Sequence, residues 1–535
     1  MAQKTLGVML DCSRNAVMKP EKVKEFAKLI ADMGYNMLQL YTEDTYEIEG
    51  EPFFGHMRGR YSQAELKEID AYCKSIGVEL VPCIQVLAHL NQLVQWSPYR
   101  KLFDCNDILM VGEEEVYELI EKMFETLETC FTSRRVNIGM DEAHFLGRGS
   151  DLGKNGNRER IEVFAEHLAR VKEIADAHGF TVMMWSDMFI RLNNNGQYEN
   201  CEGEIHLPKE TVDSVPEGVE LIYWDYYSKE KAHYDNMLCA HEKFHNPIGF
   251  AGGLQTWTGY APNLQFALDS TEAAMRSLQE HSVDTVFFTL WGDNGKDCSY
   301  YSTLPVLFAA AKMAEGNFDK GDIAKQFEEK YGYTFEEFMN LELVNITKEE
   351  PSHFRNPCKY LLFNDPFIGI YDFTVRDELS KRYADAAKKL GKSINGREYD
   401  YLFDMHKKLL EVLVRKGDLG VRLRRAYQAG DRDVLATIAE QEFPIIKQDL
   451  GNFFEAFCKM WLQENKPFGL EVQEQRFGGL LYRMGRCEKR LKAYLNGEID
   501  KIDELEENSL TKFKGYEGEA VAQNNWSTTV TTSII

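Results

Sequence analysis

Short runs of nearly continuous apolar residues recur through the N-terminal half of the chain. Runs that are apolar on both faces are typical of parallel strands buried between two layers, whereas a half-exposed strand alternates polar and apolar residues. Eight such runs are present: Leu6–Cys12, Asn36–Thr42, Val78–Gln85, Arg135–Glu142, Thr181–Met188, Leu221–Tyr226, Ile248–Trp257 and Thr285–Trp291.

Segments with apolar residues at helical spacing separate most of these runs. They are Glu21–Met33, Glu114–Phe131, Glu159–His178 and Asn263–Glu280. Several begin with acidic residues and end close to a glycine, which suits helix polarity and capping. Eight strands that alternate with helices predict an α/β fold, a (β/α)8 TIM barrel over residues 1–318. The weakest link is Pro208–Gly218, which is too short for a good helix.

The pattern changes after residue 318, where the β-rich runs disappear and long helical periodicities take over. These are Arg376–Lys392, Tyr399–Lys416, Asp431–Trp461 and Leu470–Asn496. We therefore predict a mostly α-helical C-terminal domain over residues 319–535, joined to the barrel without a flexible linker. The last stretch, Trp526–Ile535, is rich in Thr, Val and Ile and is predicted to be a frayed tail or a strand.

Composition and charge exclude several classes of function. Hydrophobic residues make up 44% of the 535 residues, enough for a large core, and the net charge of −24 disfavours binding to nucleic acid or anionic membranes. No apolar run reaches the roughly 18 residues of a spanning helix. The chain shows no signal-peptide pattern, and its eleven scattered cysteines indicate free thiols in a reducing compartment. We expect a cytoplasmic protein without a metal or cofactor.

Carboxylates and tryptophans cluster where the predicted strands end. In a (β/α)8 barrel these ends form the active-site face. Sugars stack their apolar C–H faces on aromatic rings and offer hydroxyls to carboxylates, so this rim predicts carbohydrate chemistry rather than a metal or phosphate site. The plainer alternative is that the tryptophans only cap the core. Four of the seven tryptophans fall at the rim: Trp185, Trp224, Trp257 and Trp291.

Asp141 and Glu142 are the most informative feature of this rim. Two adjacent carboxylates at the tip of a buried strand cost free energy unless they are paired or used. The alternatives to a catalytic pair are the solvated start of a loop and a structural ion pair with Arg14, Arg134 or Arg135.

The segment Gly139-Met140-Asp141-Glu142 resembles the G-x-D-E motif of family 20 glycoside hydrolases, the exo-acting β-N-acetylhexosaminidases. Asp11-Cys12-Ser13-Arg14 is similar to the D-x-S-R of that family's first strand, and Gly253–Gly259 is similar to its tryptophan-bearing seventh strand end. Trp291-Gly292-Asp293 stands where the family carries W-x-E, so a shorter carboxylate replaces the usual glutamate. The resemblance covers the barrel half and is strongest to a compact, streptococcal-like bacterial form in which a helical domain follows the barrel.

The resemblance implies a retaining hydrolysis in which the 2-acetamido oxygen of the substrate attacks C1 and replaces an enzymic nucleophile. In that reaction Glu142 acts as general acid and base, while Asp141 orients the acetamido group and stabilises the oxazoline intermediate. Tyr226 or Tyr227 donates its hydroxyl to the acetamido oxygen, and strand alternation does not choose between them. The implied partner is an oligosaccharide with a terminal β-linked GlcNAc or GalNAc, and no cofactor is needed.

The same resemblance implies residues that bind the terminal sugar. Arg14 binds the O3 and O4 hydroxyls, and Asp293 with Trp291 binds the other side of the ring. Because aspartate replaces glutamate there, the choice between gluco and galacto sugars stays open. The candidates for the wall around the acetamido methyl are Trp185, Trp224 and Trp257.

Three further polar residues near the rim are ambiguous. His89 matches a histidine often found after the third strand of the family, although the fuller H-x-G-H form is absent. Asp187 either hydrogen-bonds the sugar or supports Trp185. His144 follows the carboxylate pair, and without a second histidine at i+4 we expect a structural role for it rather than metal binding.

Other functions remain open at this point. One is a retaining β-glycosidase in which Glu142 is the acid and Asp225 or Asp293 is a covalent nucleophile, with carboxyl groups about 5–5.5 Å apart. Another is a non-catalytic carbohydrate-binding barrel. A third is a scaffold whose long amphipathic helices form a homodimer interface, although such faces more often cover a core.

Overall fold

The computed structural model of the chain describes residues 5–198, 203–345, 356–507 and 525–533. Its centre is a closed barrel of parallel strands, in which the first strand pairs with the last, Val8 opposite Phe288. Each of the eight predicted apolar runs overlaps one strand, so the predicted fold class is confirmed. In chain order, β1 to β8 are Thr5–Asp11, Met37–Thr42, Glu79–Ile84, Arg135–Asn137, Thr181–Trp185, Glu220–Trp224, Ile248–Gly253 and Thr285–Leu290.

Helices connect the strands, as the periodicity predicts. The connection from β5 to β6 is the exception, because its described residues hold only two five-residue helices, Asp187–Arg191 and Lys209–Asp213. A short antiparallel pair, Phe103–Cys105 with Ile108–Leu109, follows β3. The other helices of this half are Pro20–Ala31, Gln63–Ser75, Asn91–Val94, Glu114–Cys130, Ser150–Asn155, Arg160–Ala177, Lys231–His241, Leu264–Leu278 and Leu304–Ala314.

Two strands, β4 and β7, end five and four residues before their apolar runs. After β4 the backbone turns left-handed at Gly139 (φ +72°), Met140 (φ +70°) and Glu142 (φ +51°), and no strand continues through such residues. After β7 the same happens at Gln255, whose φ is +59°. The predicted runs to Glu142 and Trp257 were therefore too long at their C-terminal ends, which is where a barrel of this type places its loops.

The C-terminal part is helical, as predicted, but the predicted helix Asp431–Trp461 is interrupted. A π-helical turn occupies Ile438–Glu442 before the long helix begins. Pro444 lacks an N–H and cannot continue the regular hydrogen-bond ladder, which explains the irregular turn in front of it. The helices of this part are Lys320–Tyr331, Phe335–Met339, Pro357–Phe363, Leu379–Lys392, Asp400–Lys416, Leu419–Ala429, Arg432–Thr437, Phe443–Glu464, Leu470–Leu495, Asp503–Glu506 and Trp526–Val530.

The C-terminal stretch is neither a frayed tail nor a strand where the structure describes it. Trp526–Val530 is a short helix, and the Asn525 side chain caps it by accepting from the backbone N–H of Ser527 at 3.1 Å. An N-cap of this kind satisfies a backbone donor that a helix start otherwise leaves unpaired. Residues 534–535 of the predicted segment lie outside the described residues.

The chain divides into two compact units. The first is the barrel, and the second holds the residues after Ile323 together with two segments that follow barrel strands, Gln255–Gln265 and Gly292–Pro305. The second unit is therefore not a continuous stretch of sequence, and linear ranges such as 1–318 and 319–535 cannot express it. Among the described residues, no helix combines the length and apolarity needed to cross a bilayer.

Candidate active site

The segment after β4 follows a tight, left-handed path that only glycine allows at its start. A Cβ on Gly139 would lie 2.1 Å from the Gln85 side-chain oxygen, closer than any real contact. That same oxygen accepts the backbone N–H of Met140 at 3.2 Å. Strained backbone of this kind persists only where neighbouring residues stabilise it. Here the turn brings the carboxylates of Asp141 and Glu142 into the same region.

Gly139→Ala is expected to lower the free energy of unfolding by at least about 2 kcal/mol, because the new methyl clashes with Gln85 and the left-handed backbone is strained. Urea denaturation measures this. Gly478→Ala is the matched control: it lies in the helix Leu470–Leu495 with no atom near its added Cβ, so it should stabilise by about 0.5–1 kcal/mol. Equal stability of the Gly139 variant and wild type would contradict this account of the turn.

Asp141 is buried and firmly held. Its Oδ1 accepts from the Gln85 amide at 2.7 Å, and its Oδ2 lies 3.2 Å from Nε2 of His89. Burial alone would raise the pKa of Asp141, but the charge and hydrogen bond of His89, the Gln85 amide and the Arg14 charge together lower it. Asp141 is thus an ionised carboxylate at neutral pH.

His89 forms the other half of this pair. Its burial lowers its pKa, yet the adjacent Asp141 carboxylate raises it to about 9, so the imidazole is protonated at neutral pH. Its backbone is left-handed (φ +59°), and its N–H donates to the Asp107 carboxylate at 3.1 Å. His89 therefore stands beside the carboxylate pair and is an ion-pair partner of Asp141, which the sequence had suggested only for arginines.

Glu142 differs from its neighbour because its carboxyl group reaches solvent. The side chain is 38% exposed, and its oxygens lie 3.7 Å from His89 and 3.9 Å from the Arg191 guanidinium. Its backbone N–H donates to Oδ2 of Asp187 at 3.1 Å. One carboxylate is thus buried and fixed while the next is accessible, an arrangement suited to two different chemical tasks.

Asp187 supports the backbone of Glu142 and does not contact the Trp185 indole through a hydrogen bond among the described residues. Its Oδ2 also accepts from Nε of Arg191 at 3.1 Å. Burial raises the pKa of Asp187 to about 7, with the neighbouring Asp141 charge adding to this and Arg191 opposing it. Asp187 therefore connects the turn that bears Glu142 to the short helix Asp187–Arg191.

Arg14 follows β1 and is held by one aromatic ring and two carboxylates. Its guanidinium lies 4.7 Å from the centre of the Trp291 ring and pairs with Asp11 at 3.6 Å and Glu43 at 3.4 Å. Two carboxylates and a ring fix the orientation of its donors, which is the property that makes arginine suited to binding neighbouring hydroxyls.

Sequence reasoning missed Tyr41 and Glu43. The Tyr41 hydroxyl donates to Glu43 at 3.0 Å and accepts from Gln85 at 3.1 Å, so a chain of hydrogen bonds links the Arg14 side of the rim to Asp141. Burial raises the pKa of Glu43 to about 7 against the opposing charge of Arg14. The position of Glu43 directly after β2 is a signal that could have identified it, because carboxylates also follow other strands of the barrel.

An aromatic wall completes the site within the barrel. The Trp291 indole donates to the Tyr226 hydroxyl at 3.1 Å, and Trp224 stacks on the Tyr226 ring at 5.1 Å. Trp185 lies 6.0 Å from Trp291, ring centre to ring centre. The indole N–H groups of Trp185 and Trp224 are buried and have no hydrogen-bond partner among the described residues. Most buried polar groups are hydrogen-bonded, so these two donors are exceptions within the wall.

The two candidate tyrosines differ in their surroundings. Tyr226 is buried in the wall, and burial raises its pKa well above the usual value, so its hydroxyl keeps its proton. The negative charge of Asp141 adds a smaller contribution in the same direction to the pKa of Tyr226. Tyr227 is half-buried, and its backbone N–H donates to Asp225 at 3.1 Å.

Two predicted site residues lie in the second unit. Trp257 is buried on the segment after β7, and Asp293 is half-buried on the segment after β8. Trp291, the last residue of the barrel before that segment, is part of the aromatic wall. The roles assigned to Trp257 and Asp293 remain predictions.

Metal ligation is chemically possible at the carboxylate pair. Ligand atoms of His89, Asp141 and Glu142 lie within 4.8 Å of one another. A metal would have to displace the proton of His89, whose raised pKa favours the imidazolium form. His144, considered from sequence as a ligand, is exposed and outside this group. The cluster is thus an acid–base arrangement in its present protonation state.

Asp104 orders the loop that follows Glu142. Its buried carboxylate accepts the backbone N–H groups of Gly147, Gly149 and Asp151 at 2.8, 3.1 and 2.8 Å. Asp104 lies on the antiparallel pair after β3, and the nearby Asp107 holds the backbone of His89. One small hairpin therefore supports both sides of the carboxylate pair.

Asp104→Ala is expected to lower the free energy of unfolding by about 3 kcal/mol, because three backbone donors lose a charged acceptor. Hydrogen exchange at those three amides should accelerate, and urea denaturation gives the stability. Asp213→Ala, which removes an exposed i,i+4 ion pair with Lys209, should change stability by less than about 0.5 kcal/mol. Slow exchange that persists in the Asp104 variant would show that other contacts hold the loop.

Comparisons with known proteins point to one family. Residues 6–234 match the family model described as glycosyl hydrolase family 20, catalytic domain, and residues 335–524 match the glycoside hydrolase 20C C-terminal domain. Human hexosaminidase D is 24% identical over 233 residues, 41% of this chain and 44% of the relative. A β-hexosaminidase of Akkermansia muciniphila is 27% identical over 169 residues, 26% of this chain and 34% of that protein.

Among solved structures, the β-N-acetylhexosaminidase of Bacteroides fragilis is similar with a TM-score of 0.48 and 18% identity, covering 62% of this chain and 70% of that one. The exo-β-N-acetylglucosaminidase of Vibrio harveyi in complex with N-acetylglucosamine has a TM-score of 0.47 and 18% identity, covering 61% and 57%. The chain spans less than half the length of the human hexosaminidase D that it matches.

Proposed function

Because the chain belongs to glycoside hydrolase family 20, we propose that it is an exo-acting β-N-acetylhexosaminidase that removes a terminal β-linked N-acetylhexosamine. The observation that carries the proposal is the unequal carboxylate pair, with Asp141 buried against His89 and Glu142 accessible beside it. The reaction retains configuration, and the 2-acetamido group of the substrate is the nucleophile.

Glu142 carries the proton transfers. Its exposed carboxyl group protonates the departing glycosidic oxygen, and the resulting carboxylate then takes a proton from the incoming water. Its backbone is fixed by Asp187, so the side chain starts from a constant position. Asp141 stays ionised throughout, orients the acetamido N–H and stabilises the positive charge of the oxazoline intermediate.

The aromatic wall supplies the acetamido pocket. Tyr226 is the better of the two candidate donors to the acetamido oxygen, since its ring stacks on Trp224 and its hydroxyl is hydrogen-bonded to Trp291 within the aromatic wall. The partnerless indole N–H groups of Trp185 and Trp224 offer further hydrogen bonds to the sugar. Small, partly polar cavities walled by aromatic rings are typical of ligand sites.

The alternative of a covalent carboxylate nucleophile is less well supported. Asp225 is buried, and its oxygens accept from the Tyr223 hydroxyl at 2.9 Å, His233 at 2.6 Å and the Tyr227 N–H at 3.1 Å. A carboxylate engaged by three protein donors is a support for the turn that bears the tyrosines. This argues against Asp225 as the covalent nucleophile and favours the acetamido oxygen, while Asp293, the other candidate nucleophile, is tested by the comparison of N-acetyl and glucoside substrates.

A reducing compartment suits the cysteines. The ten cysteines among the described residues are all free, and most of them are buried. We therefore retain a cytoplasmic location as part of the proposal. Fractionation of cells that express the full-length gene from its own promoter tests it, and recovery of the protein outside the cytoplasm would contradict it.

A substrate panel tests the proposed activity. We expect release of the aryl group from β-N-acetylglucosaminide or β-N-acetylgalactosaminide, and none from the corresponding α-anomers. On an oligosaccharide, only the terminal non-reducing sugar should appear as product. Tight binding of N-acetylhexosamine without any hydrolysis would favour the non-catalytic carbohydrate-binding alternative.

A further inference from the structure

Three aromatic side chains form an exposed cluster on the barrel unit, outside the residues described above. Phe53 stacks on Trp96 with ring centres 5.3 Å apart and 30° between planes, and His56 meets both rings edge-on at 6.1 and 5.4 Å. Phe53 is 39% exposed, and the adjacent Met57 is 69% exposed. Phe53, His56 and Trp96 are called the aromatic platform below.

The platform is built from loops at the active-site end of the barrel. Phe53 and His56 lie between β2 and the following helix, and Trp96 lies between β3 and its helix. Loops that follow barrel strands stand at the C-terminal face, where the carboxylate pair also lies. The platform thus belongs to the same rim as the proposed site.

Direct contacts tie the first loop to the Arg14 side of the site. Arg58 donates from Nε to Asp44 at 2.9 Å and from a terminal nitrogen to the backbone oxygen of Ser13. Gly55 has a φ of +63°, and a Cβ there would lie 2.1 Å from the Asp44 backbone oxygen. The turn that presents Phe53 and His56 is therefore packed against the segments that precede Arg14 and follow Glu43.

A second set of contacts ties the two loops to each other. The Tyr99 hydroxyl donates to Glu51 at 2.8 Å, and Lys122 donates to the other oxygen of Glu51 at 2.7 Å. Trp96 lies seven residues after His89 along the same connection, and His89 contacts Asp141. The rings are thus held in place before any ligand binds, and less conformational entropy is lost on binding.

We propose that the aromatic platform binds the sugar residues of the substrate that lie beyond the terminal N-acetylhexosamine. The proposal rests on the proposed function. The rings of the aromatic platform leave apolar surface in contact with water beside a polar site. Apolar patches with a polar surround usually mark binding surfaces. Sugar rings have apolar faces that stack on aromatic planes, and the platform is continuous, through Arg58 and Gly55, with the segments that carry Arg14 and Glu43.

The experiment compares two substrates in matched variants. The substrates are methyl β-N-acetylglucosaminide, which has no further sugar, and the β-1,4-linked trimer of N-acetylglucosamine. The variants are Phe53→Ala and Trp96→Ala, with Tyr482→Ala as control because that ring is 75% exposed in the helical unit. The measured quantity is the ratio of kcat/KM for the trimer to kcat/KM for the methyl glycoside, and circular dichroism verifies folding of each variant.

We expect this ratio to fall about fivefold to tenfold in each platform variant, chiefly through a higher KM for the trimer, and to stay unchanged in Tyr482→Ala. A ratio that is the same in wild type and in both platform variants would overturn the proposed role of the platform in sugar binding and would leave the proposed function intact. Hydrolysis of neither substrate by wild type would overturn both. A shift from dimer to monomer in the platform variants, at an unchanged ratio, would identify the patch as an interface between copies of the chain and would equally overturn the proposal.

Discussion

Glu142→Gln is expected to lower kcat by about a thousandfold, because the amide can neither protonate the departing glycosidic oxygen nor activate water. The loss should be larger for an alkyl glycoside than for a nitrophenyl glycoside, since a good leaving group needs less protonation. Steady-state kinetics on both substrates measures the effect. The KM should change little, because the accessible carboxyl group acts on the bond that breaks rather than on the sugar that is held.

The matched control for this variant is Glu115→Gln. Glu115 is an exposed glutamate in the helix Glu114–Cys130 that pairs with Lys101, and its amide variant should have wild-type kinetics. A Glu142 variant with kcat within about tenfold of wild type on the alkyl glycoside would contradict the role of Glu142 as general acid. Hydrogen exchange or circular dichroism verifies that the variant retains its fold.

Asp141→Asn is expected to lower kcat by roughly a hundredfold to a thousandfold, because the ionised carboxylate no longer stabilises the positive intermediate or orients the acetamido group. The same change should lower the pKa of His89 from about 9, since the Asp141 charge is what raises it against the effect of burial. A titration of the His89 ring followed by NMR measures this, with kinetics on the same sample.

The free energy of unfolding should depend on pH through the protonation of His89. The pKa of His89 is higher in the folded protein than its ordinary value of about 6.5, so the stabilisation from its charged form is complete below pH 6.5 and is lost as pH rises toward 9. Wild type should therefore lose stability between pH 6.5 and 9, and Asp141→Asn should lack most of this slope. An unchanged slope in the variant, or an unchanged His89 titration, would contradict the Asp141–His89 pairing.

The strand pattern was sufficient to predict the barrel, and the physical reason is its double-sided burial. Each of the eight strands overlaps one apolar run, because strands covered on both faces are made mostly of apolar residues. The ends of β4 and β7 were misplaced, since left-handed residues such as Met140 and Gln255 have side chains that look compatible with a strand. Backbone conformation at a rim depends on contacts such as the one between Gly139 and Gln85, which a linear pattern does not contain.

The site shows the same division. Asp141, Glu142 and Arg14 could be named from their strand ends and from the family motif. Their partners could not, because the hydrogen-bond chain through Tyr41 joins residues that only barrel closure brings together. Likewise, Asp187 could not be assigned to the backbone of Glu142 before the turn after β4 was known.

The sequence pattern also could not predict which unit the segments after β7 and β8 belong to. The segments that bear Trp257 and Asp293 follow barrel strands, yet they group with the helical unit. Side chains of that unit hold them: His406 contacts the backbone oxygen of Tyr260 at 3.1 Å, and Arg476 donates to that of Asn294 at 3.0 Å. Such contacts span more than a hundred residues of sequence and leave no local signal.

The most direct test of substrate assistance is a paired assay of an aryl β-N-acetylglucosaminide and the matching aryl β-glucoside, with a thiazoline mimic of the oxazoline as inhibitor. The acetamido group supplies the nucleophile in this account, so only the N-acetyl substrate should be cleaved and the thiazoline should inhibit far more tightly than the product sugar. Efficient cleavage of the glucoside, or indifference to the thiazoline, would contradict it and would indicate a covalent carboxylate nucleophile.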